Sequence, residues 1–242
     1  MNYELVGVMP VYNEAPCLQK VLNAWLQEWM RLGIHCHMIV VNDGSSDETT
    51  AILRAWAADS RLTIIQHASN RGHGPSILEG YRRAVSMAEW VFQTDSDDEI
   101  SPIHFVELWR RRHDYDALLG ARTGRRQRLV RHCISGMSRV SVGMLFGNRV
   151  KDVNVPYRLI RSDQLASIVH CMAPDVFAPN VIMSGMLSIM HARVFNLNVP
   201  CHRDRAGDGG LSFSKSCRAA CKSFCQLIRH RINLITSRRR VA

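Results

Sequence analysis

Short apolar runs and longer stretches with helical periodicity alternate through the first hundred residues of the chain. Each apolar run is continuous rather than alternating, which is typical of strands that are covered on both faces of a parallel sheet. The pattern therefore predicts an α/β fold with a doubly wound, mostly parallel sheet flanked by helices. The predicted strands are residues 5–10, 36–41, 62–66 and 89–94, and the predicted helices are residues 14–32, 47–58 and 74–87.

The second half of the chain continues with elements of both kinds and ends in a basic segment. With 242 residues, of which 46% are apolar, the chain is long enough for one large domain with a proper core. We expect a catalytic-sized domain over residues 1–213 and a basic amphipathic C-terminal helical tail over residues 214–242. The predicted strands are residues 115–122, 157–161 and 194–200, and the predicted helices are residues 101–113, 129–148, 162–170 and 214–236.

A polar turn follows each of the first four predicted strands, and the turns read "PVYNE", "NDGSSDET", "HASNRGHGPS" and "DSDDE". In open α/β sheets, ligands bind outside the carboxyl ends of the strands. Because parallel strands end at the same edge of a sheet, we expect the four turns to share one rim. The sequence therefore predicts a ligand site on that rim.

The fourth turn concentrates acids in a chain whose formal net charge is +10. Asp95 and Asp97 stand one residue apart at a strand end, so both carboxylates can lean toward one point. Two nearby carboxylates repel unless a cation lies between them, and Mg²⁺ or Mn²⁺ held by carboxylates and substrate phosphates is one solution. Acids also favour a helix N-terminus, so capping of the next helix is the alternative. These residues alone leave both interpretations open.

The second and third turns offer further ligand contacts. Asp43 can accept hydrogen bonds from a nucleoside base or ribose, or it can form an Asx-turn that leads into the next helix. Gly72 and Gly74 can let the backbone approach a ligand, but a lone Gly-x-Gly pattern is weak evidence.

Positive charge gathers in clusters along the chain. The 31 Lys and Arg residues outnumber the 21 Asp and Glu residues, and they concentrate at 110–112, at 122–132 and near the end. Such clusters favour phosphates on nucleotides, lipids or nucleic acids. The eight cysteines form no C-x-x-C pair, which indicates reduced thiols. No export signal is evident and no apolar window is long enough to span a membrane, so we expect a cytoplasmic protein, either free or peripheral on the inner face of a membrane.

Taken in order, four motifs resemble those of the family-2 glycosyltransferases with the GT-A fold. They are "VGVMPVYNEAPCL", "VVNDGSSDETTAIL", "NRGHGPSILEGYRRA" and "WVFQTDSDDEI". Within that family, the chain looks most like the dolichyl-phosphate mannosyltransferase-like and bacterial polyprenyl-phosphate glycosyltransferases. The resemblance covers most of residues 4–215 and implies a GT-A fold for them.

The resemblance also implies roles for individual residues. Asp95 and Asp97 match an Asp-x-Asp motif that holds Mg²⁺ or Mn²⁺ against the donor diphosphate. Arg122 matches an arginine that lies near phosphate, and Asp152 matches an acid near the reacting centre, so these two are the catalytic candidates. The residues implied to bind a UDP- or GDP-sugar donor are Pro10, Tyr12, Glu14, Val41, Asp43, Asp95, Arg203, Arg205 and Lys215.

The resemblance implies a polyprenyl phosphate of dolichyl or undecaprenyl type as the sugar acceptor. A lipid phosphate is already anionic, so it needs positioning and neutralisation more than a strong base, and backside attack would invert the anomeric configuration. A hydroxyl of a glycan or small molecule is the alternative acceptor, and it would need Asp152 as its base. A basic nucleic-acid-binding protein is a distant third interpretation, because only 7% of the residues are aromatic. We expect no nucleic acid partner.

Two segments near the end of the chain leave alternatives open. The loop "HRDRAGDGGLSFSK" departs from the family's pattern, so its arginines and lysine are either phosphate ligands or solvated side chains. The tail "KSFCQLIRHRINLITSRRRVA" sets apolar residues among basic ones, which suits a helix lying on an anionic membrane surface. The same sequence is also consistent with a basic helix folded onto the domain, or with a frayed tail.

Overall fold

Seven strands form one sheet in the part of the chain that the structure describes. The structure is a computed structural model, and it describes residues 2–124, 143, 147, 149–201, 224–226 and 228. Continuous apolar runs form each of the central strands, as the sequence predicts. The strands are β1 (Tyr3–Val11), β2 (Cys36–Asn42), β3 (Leu62–Gln66), β4 (Ala88–Thr94), β5 (Ala117–Thr123), β6 (Tyr157–Arg161) and β7 (Val194–Pro200).

The strand order in the sheet is β3-β2-β1-β4-β6-β5-β7. All neighbouring strands are parallel except at β6, which runs antiparallel to both β4 and β5. The carboxyl ends of the other six strands therefore lie at one edge. Because β6 is reversed, its first residue, Tyr157, lies opposite Thr94 at the end of β4. The loop before β6 thus reaches the same edge as the polar turns.

Helices cover both faces of the sheet. The predicted helix over residues 101–113 is shorter than expected, since two 3₁₀ turns, Pro102–His104 and Arg112–Asp114, flank a single α-helix there. The helices of the described residues are α1 (Ala15–Arg31), α2 (Thr49–Trp56), α3 (His73–Ala84), α4 (Phe105–Arg111), α5 (Ser162–Val169) and α6 (Pro179–Ile189).

Two hydrophobic clusters explain why the strands are apolar on both faces. In β1, Val6 and Val8 belong to the cluster beneath α3, α5 and α6, whereas Leu5 and Met9 belong to the cluster beneath α1 and α4. This division follows from the alternation of side chains along a strand. The second cluster contains interlocking aromatic rings, among them Trp25, Trp29, Phe92, Phe105 and Tyr157.

Two predicted helices lie almost entirely outside the described residues, namely 129–148 and 214–236. Residues 224–226 and 228 are described, and they are helical. The side-chain amide of Gln226 accepts a hydrogen bond from the N–H of Phe177 at 2.8 Å and donates one to the carbonyl of Asp175 at 3.4 Å. The division into a domain over 1–213 and a tail over 214–242 stays a prediction.

Candidate active site

A cleft of about 280 Å³ opens at the edge of the sheet where the polar turns meet. It lies among the turns that follow β1, β2, β3 and β4, so the expectation of one shared rim is met by the fold. Polar and apolar atoms contribute about equally to its walls, with Pro10 and Val11 at the end of β1 among the apolar contributors. The lining residues are Pro10, Val11, Tyr12, Glu14, Asp43, Asn70, Gly72, His73, Ser76, Asp95, Ser96 and Asp97.

Asp95 brings a carboxylate with one buried oxygen into this cleft. Its Oδ1 atom is buried and accepts no hydrogen bond from the described residues. The Nε2 atom of His73, at the start of α3, lies 3.6 Å from that oxygen. Burial raises the pKa of Asp95 to about 6, because the charged form loses hydration; His73 opposes the shift and the nearby Asp97 carboxylate adds to it. A cation in the cleft would relieve this cost.

The donor set at this point fits Mg²⁺ or Mn²⁺ rather than an all-protein metal site. Among the described residues, no group of three or more His, Cys, Asp and Glu side chains is arranged to hold a metal ion. Asp95 and Asp97 both line the cleft and supply two carboxylates. Mg²⁺ is commonly held by one or two carboxylates, with water and substrate phosphates completing the coordination. The residues present therefore fit a cation that shares its coordination with a phosphorylated substrate.

The neighbouring acids have other partners. Asp98 has a backbone φ of 59° and forms an ion pair with Lys20 at 2.6 Å. Glu99 is buried, and its Oε2 lies 3.7 Å from Nη1 of Arg122. The 3₁₀ turn that follows is capped by Ser101, whose Oγ accepts the N–H of Ile103 at 3.4 Å. Ser101 therefore caps this turn, so capping by the acids of the fourth turn, the alternative that the sequence left open, is not what the structure shows here.

Asp43, at the end of β2, organises the loop between β3 and α3. Its carboxylate is buried and accepts the N–H groups of Arg71 and Gly72, each at 2.8 Å, and a bond from Nδ1 of His67 at 2.8 Å. Burial alone would raise the pKa of Asp43, but these hydrogen bonds outweigh it and hold the pKa below its ordinary value. Asp43 therefore stands ionised at the back of the cleft and fixes the turn that presents Asn70 and Gly72.

Side-chain contacts outside the cleft also hold this loop in place. The other ring nitrogen of His67, Nε2, lies 3.0 Å from Oε2 of Glu79. The same glutamate oxygen accepts a hydrogen bond from Nη1 of Arg71 at 2.8 Å. The loop is thereby tied to Asp43 through its backbone and to α3 through its side chains.

Arg122 and Asp152 meet at the end of β5. Nε of Arg122 donates to Oδ2 of Asp152 at 2.8 Å, and Nη2 donates to Oδ1 at 3.2 Å, which makes a two-pronged ion pair. Burial would raise the pKa of Asp152, but the hydrogen bonds and charge of Arg122 prevail and hold the pKa below its ordinary value. Asp152 is thus a carboxylate already committed to an arginine, and a poor proton acceptor in this arrangement.

Arg158 holds the loop that carries Asp152. It is fully buried in β6 and donates to the carbonyls of Val153 at 2.6 Å and Val155 at 2.7 Å, and to Oγ of Ser184 at 3.0 Å. Burial lowers the pKa of this guanidinium to about 10, so it stays protonated at neutral pH. Sequence reasoning missed this residue, because an arginine in "PYRLIR" carries no sign that it turns inward.

The donor residues proposed from the sequence fall into three groups. Pro10, Tyr12, Glu14, Asp43 and Asp95 line the cleft. Val41 does not: its side chain is fully buried in the core beneath α3, and Val11 lines the cleft instead. The third group, Arg203, Arg205 and Lys215, lies outside the described residues.

The sequence also left several lining residues unassigned. Asn70, His73, Ser76 and Ser96 line the cleft, and only the polar composition of their turns pointed to them. The glycines of the third turn have separate tasks. Gly72 donates its N–H to Asp43, whereas a Cβ on Gly74 would come within 2.2 Å of the carbonyl oxygen of Val176, so Gly74 allows close packing of α3.

Within the described part of the chain, no helix combines the length and the apolar character needed to cross a bilayer.

A family model described as "Glycosyl transferase family 2" matches residues 8–132, more than half of the chain. The chain belongs to this family. The matched residues contain all four polar turns and both aspartates of the cleft.

Curated relatives of this family-2 protein include the undecaprenyl-phosphate 4-deoxy-4-formamido-L-arabinose transferase of Pectobacterium carotovorum subsp. carotovorum (strain PC1). That enzyme is 27% identical over 175 residues, which are 71% of this chain and 53% of the relative. The chain thus spans about half the length of the curated relatives it matches.

Solved structures confirm the GT-A fold of the family-2 protein. Glucosyl-3-phosphoglycerate synthase from Mycobacterium tuberculosis, in complex with Mn²⁺, UDP and glucosyl-3-phosphoglycerate, aligns with a TM-score of 0.66 at 15% identity, over 94% of this chain and 80% of that one. A mannosyltransferase from Pyrobaculum calidifontis, in complex with GDP-Man and Mn²⁺, aligns with a TM-score of 0.58 at 16% identity, over 100% of this chain and 81% of that one.

Proposed function

We propose that this protein transfers a sugar, with inversion, from a nucleoside-diphosphate sugar to a polyprenyl phosphate, and that the reaction requires Mg²⁺ or Mn²⁺. The observation that carries the proposal is the buried Oδ1 of Asp95, which accepts no hydrogen bond from the described residues and lies beside Asp97 in a cleft built by the four turns of the family motif. Membership of the family supports the reaction class.

The donor half of the cleft suits a nucleoside diphosphate. Tyr12 lines the cleft with 45% of its surface exposed, so its ring is available to a nucleobase. Glu14 and Asn70 add polar groups that can meet the base or the ribose. The titles of the two aligned structures name UDP and GDP-Man together with Mn²⁺, which supports a donor of this class.

Departure of the nucleoside diphosphate develops negative charge, and a divalent cation at Asp95 and Asp97 would neutralise it. Arg122 adds a fixed positive charge at the same edge of the sheet and is held in place by Asp152. Because the guanidinium is bound before substrate arrives, little reorganisation is needed when charge develops. The chain thus contributes orientation and electrostatics to the transfer.

The state of Asp152 favours an acceptor that is already ionised. A hydroxyl acceptor must lose its proton, so it needs a free carboxylate or imidazole with a suitable pKa. Asp152 has a lowered pKa and both oxygens engaged by Arg122. A lipid phosphate needs no such base, and the names of the curated relatives include an undecaprenyl phosphate. Since that acceptor resides in a membrane, we infer a peripheral position on the inner face.

Mass spectrometry of reaction products tests this proposal. The protein is incubated with a panel of UDP- and GDP-sugars, Mn²⁺, and either undecaprenyl phosphate or undecaprenol, the matched acceptor that carries a hydroxyl instead. The proposal predicts a glycosyl phosphate product with one donor of the panel, dependent on the divalent ion and absent with undecaprenol. Transfer to undecaprenol but not to the phosphate would favour the hydroxyl-acceptor alternative, and full turnover in EDTA would contradict the metal requirement.

A further inference from the structure

The turn after β1 and the turn after β2 are joined by reciprocal hydrogen bonds. The N–H of Asn13 donates to Oγ of Ser45 at 3.0 Å, and the N–H of Ser46 donates to Oδ1 of Asn13 at 2.8 Å. Asn13 has a backbone φ of 54°, a left-handed conformation that asparagine tolerates better than most residues. The two turns therefore hold each other in a conformation that the first would not favour alone.

The start of α1 is capped from the neighbouring turn instead of from its own residues. Glu14, at the N-cap position, makes no side-chain cap hydrogen bond. The N–H of Glu14 donates to Oγ1 of Thr49 at 3.0 Å, and the N–H of Ala15 donates to Oδ2 of Asp47 at 3.2 Å. Asp47 also accepts the N–H of Thr49 through Oδ1 at 3.0 Å, so its carboxylate bridges the two turns.

This set of contacts is anchored in the sheet. Oγ of Ser45 donates to Oδ1 of Asn42, the last residue of β2, at 2.6 Å. The amide of Asn42, which is fully buried, donates in turn to Oε1 of Gln66 at the end of β3 at 2.8 Å. The turn after β1 is thus fixed relative to the ends of two other strands. We call Asn13, Ser45, Asp47 and Thr49 the inter-turn clamp.

The clamp holds the backbone next to two residues of the donor half of the cleft, Tyr12 and Glu14. Tyr12 and Glu14 lie on either side of Asn13, and both line the cleft. Tyr12 is 45% exposed, so burial does little to fix its ring. Its position depends instead on the backbone at residues 12–15, which the clamp holds through three N–H groups.

We propose that the inter-turn clamp positions Tyr12 and Glu14 for the nucleoside half of the donor, so that Asp47 and Thr49 are positioning residues for nucleotide binding. The inference rests on the proposed function. An aromatic ring can stack on a base of any kind, and a platform that is already ordered spares the cost of ordering on binding. The clamp's hydrogen bonds join the turns after β1 and β2, whereas Asp95 and Asp97 lie in the turn after β4, so loss of the clamp should affect the nucleoside and leave the diphosphate contacts intact.

Isothermal titration calorimetry with UDP and GDP in Mn²⁺, and with pyrophosphate in Mn²⁺, separates the two halves of the donor. Thr49→Val should weaken binding of the nucleoside diphosphate by about fivefold, as expected for a lost cap, and change pyrophosphate binding by less than about twofold. Thr49→Ser keeps the hydroxyl and should bind as the wild type does. Asp47→Ala should behave like Thr49→Val.

Asp59→Ala is the matched control. Asp59 also accepts a backbone N–H, that of Arg61 at 2.9 Å, but it does so in the turn before β3, at the opposite edge of the sheet. The control should leave both affinities unchanged. Equal losses for pyrophosphate and nucleotide in Asp47→Ala, or unchanged nucleotide affinity in both clamp variants, would overturn the inference while leaving the proposed function in place.

Hydrogen exchange in the ligand-free protein gives a second readout that does not depend on the nucleotide. Thr49→Val should speed exchange at the amide of Glu14, and Asp47→Ala at that of Ala15, with the amides of β1 unaffected. Unchanged exchange at both positions would overturn the clamp. If the wild-type protein binds neither UDP nor GDP, the proposed function fails, and with it the inference that depends on it.

Discussion

At the scale of the residue, the surroundings of each acid in "QTDSDDE" separate their functions. Asp98 has Lys20 at 2.6 Å and Glu99 has Arg122 at 3.7 Å, so both carboxylates have a positive partner. Asp95 has a buried oxygen without a hydrogen bond among the described residues and a pKa raised to about 6 by burial. Burial of this oxygen without a hydrogen bond destabilises the folded protein, and a bound cation would offset that loss of stability.

The pair of Arg122 and Asp152 leads to a prediction about the acceptor. Asp152→Asn should lower kcat/KM for transfer to polyprenyl phosphate by about 10- to 100-fold, the equivalent of one charge-assisted hydrogen bond, because Arg122 loses its anchor. Transfer should remain measurable, since the acceptor needs no base. Steady-state assays measure the change in kcat/KM.

Asp163→Asn is the control, because Asp163 forms a similar two-pronged pair with Arg161 outside the cleft at 2.7 and 2.9 Å. Complete loss of transfer in Asp152→Asn alone would make Asp152 the base.

Asp43 leads to a prediction about stability and pH. Its pKa lies below the ordinary 3.8, so its contribution to the free energy of unfolding is complete above that pH and is lost as the pH falls through the folded-state pKa. Asp43→Asn should cost about 1–3 kcal/mol at pH 7, because buried N–H groups lose a charged acceptor. Below the folded-state pKa the protonated wild-type side chain resembles asparagine, so the difference should shrink. Urea unfolding at a series of pH values from 7 downward measures it, and a cost that stays constant as the pH falls through the folded-state pKa would refute this account.

At the scale of the element, the turn after β2 depends on a close approach of two backbones. Gly44 has φ +68°, and a Cβ there would lie 2.5 Å from the carbonyl carbon of Ser69. Gly33 has φ +67°, yet a Cβ there meets nothing within 4 Å. The two glycines therefore share the backbone requirement and differ in the space around them.

This difference makes a matched pair of substitutions. Gly33→Ala should cost about 1–2 kcal/mol, the strain of a left-handed residue with a side chain. Gly44→Ala should cost about 1–3 kcal/mol more, because the loop that Asp43 holds must move away. Chemical denaturation of both variants gives the two values. Similar losses would show that the contact with Ser69 is not important for stability.

The secondary-structure elements also show which parts of the fold can be predicted from the amino-acid sequence. Residues 62–66, 157–161 and 194–200 were predicted as strands and are strands with those bounds. The helix α6 could not be bounded in the same way. Its residues from Pro179 to Ser188 are all buried, so it lacks the exposed, charged face that marks a surface helix in a sequence. The reversed direction of β6 leaves no local trace, since pairing is a property of the whole sheet.

The candidate site was predictable to the level of the turn rather than of the side chain. The four turns do line one cleft, and Asp95 and Asp97 are in it. The resemblance placed Val41 in the cleft, but its side chain is buried in the core and Val11 lines the cleft, a difference that only the packing of the folded chain shows. Arg158 was missed, since its role depends on carbonyls of a loop that folds back over it.

At the scale of the whole molecule, the fold gathers charge of both signs at one edge of the sheet. Six strands end there, and the reversed β6 brings the loop with Asp152 to the same edge. Glu99 of the fourth turn lies 3.7 Å from Arg122, in a chain with a formal net charge of +10. Such an arrangement suits a diphosphate with its cation on one side and an anionic acceptor on the other.

The central claim is that Asp95 and Asp97 together bind a nucleoside diphosphate through a divalent cation, and calorimetry of UDP and GDP with Mn²⁺ tests it most directly. The wild-type protein should bind one of the two tightly with Mn²⁺ and weakly in EDTA. Asp97→Asn removes the charge but keeps an oxygen for the N–H of Glu99, and it should weaken Mn²⁺-dependent binding by at least about 100-fold, more than loss of a supporting residue costs. Asp98 follows Asp97 in the chain but is paired with Lys20, so Asp98→Asn should bind as the wild type does. Equal binding by wild type and Asp97→Asn, or binding that EDTA does not weaken, would contradict the account.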